Sequence, residues 1–287
     1  MSFIKLVECP RDAMQGINPF IPTDLKIRYL QQLLQVGVDT LDFGSFVSPK
    51  AVPQLADTAE VLAGLDLTQT STNLLAIVAN LRGAQEACSH NAIRYVGYPF
   101  SLSETFQQRN TRRSMSDSLL LVREIQELCL THNKTLVVYL SMGFGNPYGD
   151  PWDEGVLDHW AKKMANLGIT ILSLADTVGS AEPEVIQRAF NRLIPQLPAV
   201  EFGAHFHATP AARMGKIKAA YESGCTRFDT ALMGFGGCPF AEDELVGNIA
   251  TESLIEFCKV NGIQTSLDLD ALGAAQQIAQ EVFAQPH

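Results

Sequence analysis

The sequence predicts a (β/α)8 barrel, a TIM barrel, with an extra C-terminal helix. Two observations carry this reading. Eight short segments rich in β-branched, Leu or aromatic residues recur along the chain, as buried parallel strands do. Each is followed by a stretch with apolar residues at three- and four-residue spacing, the pattern of an amphipathic helix. A doubly wound sheet shares this alternation, but no Gly-x-Gly-x-x-Gly follows any strand, and eight repeats suit closure.

In chain order the strands are read at 4–9, 39–43, 70–79, 93–100, 135–144, 169–176, 199–207 and 226–234. The first helix, at 23–37, places Leu25, Leu30, Leu33 and Leu34 near one face, with Thr23 as its cap and Gly37 as its end. Stretches 152–168 and 208–224 also end in Gly. The one long connection, 101–117, holds Arg109, Arg112 and Arg113 between the fourth strand and its helix. It is read either as a solvated approach to that helix or as an anion-binding loop. A surplus helix follows at 266–284. No low-complexity linker interrupts the pattern, so 1–287 is read as a single domain.

Charge narrows the partners. Against 31 Asp plus Glu stand 21 Lys plus Arg, a net charge of −10. Nucleic acid and anionic membranes both reward a surplus of cations, so neither is expected as a partner. Six Cys in no paired spacing give neither a disulfide framework nor a zinc motif. No uncharged apolar run is long enough to span a bilayer, and the N-terminus reads directly as a strand and its loop. A cytoplasmic protein is the expectation.

In such barrels chemistry gathers where the strands end at their C-terminal side. The first strand ends in Glu8-Cys9-Pro10-Arg11-Asp12. The seventh ends in Ala204-His205-Phe206-His207, and strand alternation points both imidazoles the same way. That is half of a metal site, or else a pair of satisfied core histidines. The eighth runs into Gly234-Phe235-Gly236-Gly237-Cys238-Pro239, with Asn248 beyond. The second carries Asp42 and Ser45; Asp42 serves chemistry or ties its own loop. Closing the barrel brings Asp12, His205, His207 and Asn248 together. Two oxygens and two nitrogens with water suit Mg2+ or Mn2+, and Zn2+ also accepts His–carboxylate sites. Cys88, Cys129 and Cys258 fall in helical patterns and read as packing residues.

Pro-Arg-Asp at 10–12, Ser-Phe-Val-Ser-Pro-Lys at 45–50, Ser-Leu-Ala-Asp-Thr-Val-Gly at 173–179, His-Phe-His at 205–207 and Gly-Gly-Cys-Pro-Phe-Ala at 236–241 resemble the 3-hydroxy-3-methylglutaryl-CoA lyases. The likeness runs in order from about residue 4 to beyond residue 270. Pro-Arg-Asp and His-x-His also mark a wider superfamily that includes condensing enzymes; the second and fifth motifs are narrower.

The resemblance implies retro-Claisen cleavage of a 3-hydroxyacyl-CoA to acetyl-CoA and a keto acid, by a homodimer. It implies that Asp12, His205, His207 and Asn248 hold the cation and that Arg11 neutralises the enolate oxygen. Cys238 would transfer a proton, and Asp42 stands where the family usually has Glu. Gln15, Ser45, Tyr139, Ser141, Ser173 and Asp176 would line the substrate pocket. Two departures bear on the site. Asn18 stands where a lysine credited with CoA contact is usual, so Lys50 or Arg109 is expected to supply that charge. Ala208 replaces an Asp that would orient a ligating histidine. A related tertiary substrate, such as citramalyl-CoA or a longer 3-alkyl analogue, and a non-catalytic acyl-CoA-sensing barrel are the alternative readings.

Overall fold

In the computed structural model, which describes residues 3–236 and 246–283, the eight strands close into one parallel barrel in sequence order. They are β1 (Lys5–Glu8), β2 (Thr40–Ser45), β3 (Asn73–Ile77), β4 (Ile93–Ser101), β5 (Thr135–Ser141), β6 (Ile171–Asp176), β7 (Glu201–Phe206) and β8 (Arg227–Thr230). The helices are α1 (Pro10–Met14), α2 (Thr23–Val36), α3 (Thr58–Gly64), α4 (Leu81–Ser89), α5 (Glu104–Thr111), α6 (Met115–Thr131), α7 (Glu154–Asn166), α8 (Pro183–Gln196), α9 (Arg213–Glu222), α10 (Thr251–Val260) and α11 (Leu269–Phe283). Pairing of β1 with β8, Val7 opposite Asp229, closes the ring. The strands are buried on both faces, which is why they read as nearly continuous apolar runs.

One large core fills the space between barrel and helices. Inside the barrel a smaller cluster, Leu75, Ile77, Val137, Tyr139 and Ile171, fills one side. The other side is polar: Thr40, Ser173, Arg227 and Asp229 are all buried. The apolar cluster thus comes from β3, β5 and β6 and the buried charged residues from β8, while β7, paired with β8, carries His205 of the site.

Local chemistry accounts for most boundaries. Helix α2 ends at Gly37, whose φ of 77° provides the left-handed cap. Its start differs from expectation: Pro22 occupies the cap position, and the Thr23 hydroxyl donates to Asp57 at 2.8 Å instead of capping. The long connection is not an open loop. Helix α5 forms there, capped by Ser103, and α6 begins at once behind its own cap, Ser114. The last strand is shorter than read, since β8 stops at Thr230 and a 3-10 turn, Leu232–Gly234, takes over. The surplus helix is α11, whose buried residues Leu272, Ala275, Ala279 and Val282 pack toward α2. Among the described residues no helix is long and apolar enough to cross a membrane.

Candidate metal centre and substrate cleft

Pro10 at the first position of α1 starts a single turn directly after β1 and sets Arg11, Asp12 and Gln15 over the barrel mouth. Arg11 is forked onto Asp42, with Nη2 to Oδ2 at 2.6 Å and Nε to the same oxygen at 3.0 Å. Its Nη1 donates to Asp12 Oδ1 at 2.9 Å and to Gln15 at 3.1 Å. The guanidinium is thus held flat by a fixed set of acceptors. Asp42 sits at a register shift between Asp42 and Gly44, where the bulge turns its carboxylate toward Arg11. Burial pushes Asp42 up to about 6 despite Arg11, so it is a carboxylate at neutral pH.

Asp12, His205 and His207 bring one ligand atom each to within 4.8 Å of one another, and all three residues are buried. Both histidines have Nδ1 engaged: His205 with Asp229 Oδ2 at 3.1 Å, His207 with the Val246 carbonyl at 3.0 Å. Each Nδ1–H donates there, which leaves Nε2 with its lone pair free to ligate. Asn248 is drawn in by an antiparallel bridge to His207, and its Nδ2 donates to Asp12 Oδ2 at 2.8 Å. The amide oxygen of Asn248 remains as its acceptor.

Electrostatics agree with a cation site. Burial opposes the Asp12 charge, yet Arg11 and the two imidazoles hold its carboxyl below the ordinary range. Burial, with the neighbouring His205, lowers His207 and keeps it neutral. Burial also works against a charged His205, but the Asp229 hydrogen bond and charge carry it above the usual value. Two buried oxygens beside His205, Tyr139 Oη and Asp229 Oδ1, have no hydrogen-bond partner. A carboxylate and two imidazoles oriented through their Nδ1 atoms form a donor set that fits a divalent ion once His205 gives up its proton to it.

This group opens onto a cleft. Arg11, Asp12, Gln15, Ser45, Tyr139, Ser141, His205 and His207 line it. Apolar side chains line it as well, among them Val47, Val52, Ile77, Ala79, Pro99 and Phe106.

Several expected residues lie elsewhere. Ser173 is buried beneath the cleft, 3.5 Å from Asp229. Asp176 points outward and accepts from Lys216 at 2.5 Å, while the same ammonium donates to the His207 carbonyl at 3.0 Å. Arg109 lies on α5 with its guanidinium over the Tyr148 ring at 4.7 Å; from that helix Phe106, Asn110 and Thr111 reach the cleft. Cys238 falls outside the described residues. Asp229 is the residue sequence reading missed. An acid inside a β-strand is costly unless it is used, and its parity with Arg227 was the available signal. Orientation of the histidines does not depend on an Asp at 208, because Asp229 and the Val246 carbonyl supply it.

A closed parallel barrel with a carboxylate–imidazole group able to hold a metal ion beside a held arginine marks a candidate barrel enzyme. Comparison with known proteins narrows this. The HMGL-like family model matches residues 4–279, and the chain belongs to that family, whose activity is that of a carbon–carbon lyase. A hydroxymethylglutaryl-CoA lyase of Bacillus subtilis is 31% identical over 96% of this chain and 92% of its own length. A 3-hydroxy-3-isohexenylglutaryl-CoA/hydroxymethylglutaryl-CoA lyase of Pseudomonas aeruginosa is 33% identical over 96% and 91%. The solved HMG-CoA lyase of Acinetobacter baumannii, in complex with coenzyme A and 3-methylmalate, superposes with a TM-score of 0.92 at 33% identity, covering 99% of this chain and 92% of that one.

Proposed function

We propose that this lyase carries out divalent-metal-dependent retro-Claisen cleavage of 3-hydroxy-3-methylglutaryl-CoA, giving acetyl-CoA and acetoacetate. The observation that carries the reading is the adjacency of the Asp12–His205–His207 group to Arg11 in a cleft that apolar side chains also line. The names of the relatives support the substrate.

The reaction removes the proton of the tertiary hydroxyl, breaks the C2–C3 bond and leaves the electron pair on the thioester as an enolate. Asp12, His205, His207 and Asn248 would hold a divalent cation, whose positive charge would make the hydroxyl more acidic. Arg11, already fixed by Asp42, Asp12 and Gln15, stabilises enolate charge without reorganising. Gln15 also donates to Asp12 Oδ1 at 2.9 Å and keeps that carboxylate oriented. We assign protonation of the enolate to Cys238, on its motif alone. Ser45, Tyr139 and Ser141 bound the substrate on the β2 and β5 sides.

A second reading has a specific observation in its favour. The cleft lining includes apolar Val47, Val52, Ile77 and Phe106 with small Ala51 and Ala79, which suits a longer alkyl substituent at the carbinol carbon. The test is one assay: purified protein, HMG-CoA and a longer 3-alkyl analogue, each with Mg2+ or Mn2+, following release of acetyl-CoA. Cleavage of HMG-CoA that disappears with chelator supports the first reading. Turnover of the analogue alone supports the second, and metal binding without either turnover overturns both.

A further inference from the structure

Helix α11 has no place in the eightfold repeat, yet it reaches the metal-ligand group. One of its side chains touches the stem that follows β8, and a second is linked to it through Glu252 of α10. Phe283 stacks on Phe235 with ring centroids 4.2 Å apart and planes 22° apart. Gln276 donates to Glu252 at 2.7 Å, and Glu252 accepts from the Met233 backbone N–H at 3.0 Å. Met233 adopts a φ of 60°, a left-handed conformation that a non-glycine residue keeps only when its surroundings impose it. Phe283 is in turn buttressed from behind by the edge of Tyr29, at 6.0 Å and 89°.

The stem contacts the ligand group directly. The Phe235 carbonyl accepts from Asn248 Nδ2 at 2.9 Å. The same nitrogen donates to Asp12 at 2.8 Å. Both amide hydrogens are thereby committed, and the plane of the Asn248 amide is set by where the Phe235 carbonyl stands. A Cβ on Gly236 would come to 2.7 Å from that nitrogen, so the stem is in close contact with the amide.

We propose that α11 is a positioning element for the metal centre: Phe283, through the Phe235 ring and carbonyl, fixes the orientation of Asn248 and so tightens cation binding. The inference rests on the reading of Asp12, His205, His207 and Asn248 as a cation site. Phe283 itself touches neither substrate nor cation; it acts through Phe235. Residues that orient ligands in this way commonly carry 10- to 100-fold in affinity or activity.

The test measures Mn2+ affinity by electron paramagnetic resonance of free Mn2+, on the full chain without substrate, alongside Tm. Three variants separate positioning from packing. Phe283→Leu keeps apolar volume but loses the stacked ring and should weaken Mn2+ roughly 10-fold. Phe283→Tyr keeps the ring and should bind as the wild type does. Val282→Ala trims a fully buried side chain of the same helix that turns about 100° away from Phe283, and should lower Tm while leaving Mn2+ affinity unchanged. Wild-type affinity in Phe283→Leu would overturn the proposal, as would an affinity loss that simply follows Tm across the variants. A wild type that does not bind Mn2+ would overturn the cation reading, and the proposal with it.

Discussion

Glu8, at the end of β1, faces the helices rather than the cleft, and its replacement by Gln tests how the structure carries a buried acid. Burial pushes its carboxyl from the ordinary 4.5 up to about 8, against hydrogen bonds from Thr251 and the Leu232 N–H. The hydrogen-bond pattern accommodates a proton on Glu8. Thr251 Oγ1 lies 2.5 Å from Glu8 Oε2 and 2.9 Å from Thr230 Oγ1, and a hydroxyl has one hydrogen to give. If Glu8 donates to Thr251, Thr251 is free to donate to Thr230, while Glu8 Oε1 still accepts from Leu232 N–H at 2.7 Å. Glutamine reproduces that scheme with an NH2 in place of the OH.

The sign follows from linkage. The unfolded chain loses this proton near 4.5 and the folded chain near 8, so between those values the folded state binds more protons. Glu8 therefore lowers stability as pH rises through that window, and the full penalty is present above the folded value. At roughly 1.4 kcal/mol per pH unit the effect is about 4 kcal/mol between pH 5 and pH 9. Urea denaturation of wild type and Glu8→Gln at five pH values isolates it, because other groups cancel in the difference. The variant should gain on the wild type steadily with pH. Parallel stability profiles would show that Glu8 is ionised in the native protein and would refute the argument.

Two further outcomes follow from the site. Asp229→Asn leaves a weaker, uncharged partner for His205 Nδ1 and should reduce Mn2+ affinity and turnover by roughly 10- to 100-fold, read by Mn2+ titration and steady-state kinetics; unchanged affinity would remove Asp229 from the site. Gly236→Ala places a methyl 2.7 Å from Asn248 Nδ2 and 2.9 Å from the Ala13 Cα at a φ of +92°. It should cost about 1–3 kcal/mol in denaturation and weaken Mn2+ in parallel, whereas a neutral substitution would mean that the stem moves aside freely.

The barrel was legible because its strands are buried on both faces and punctuated by glycine-ended helices, patterns that single residues cannot disguise. Helix α5 was not: only Phe106 and Gln107 of its eight residues are buried. Its start is secured instead by Ser103 and by Asp150, which accepts from Thr105 N–H at 2.9 Å, a partner distant in sequence. Strand parity separates the expected residues that line the cleft from those that lie outside it. His205 with His207, and Tyr139 with Ser141, share parity and reach the cleft. Ser173 and Asp176 have opposite parity, so both could not face the barrel interior, and Asp176 turned outward to Lys216. Asp229 escaped notice because it belongs to no motif, although its strand parity could have placed it under His205.

Charge placement makes a last prediction about binding order. Around the metal-ligand group stand the carboxylates of Asp12, Asp42 and Asp229, with the guanidinium of Arg11 shared between Asp12 and Asp42 and that of Arg227 on the barrel floor. Carboxylates outnumber guanidiniums, and the chain as a whole carries −10. A CoA ester with a free carboxylate is itself an anion, and in a partly buried site like charges repel with little screening. The fixed charges of this end of the barrel therefore disfavour the proposed substrate until a divalent ion reverses the balance. Calorimetric titration with a non-cleavable analogue should show at least 10-fold tighter binding with Mg2+ or Mn2+ than with chelator, and by reciprocity the analogue should tighten the metal by the same factor. Equal affinity with and without the ion would place the substrate's anionic groups away from the Asp12–His205–His207 group and would separate binding from the chemistry assigned to it.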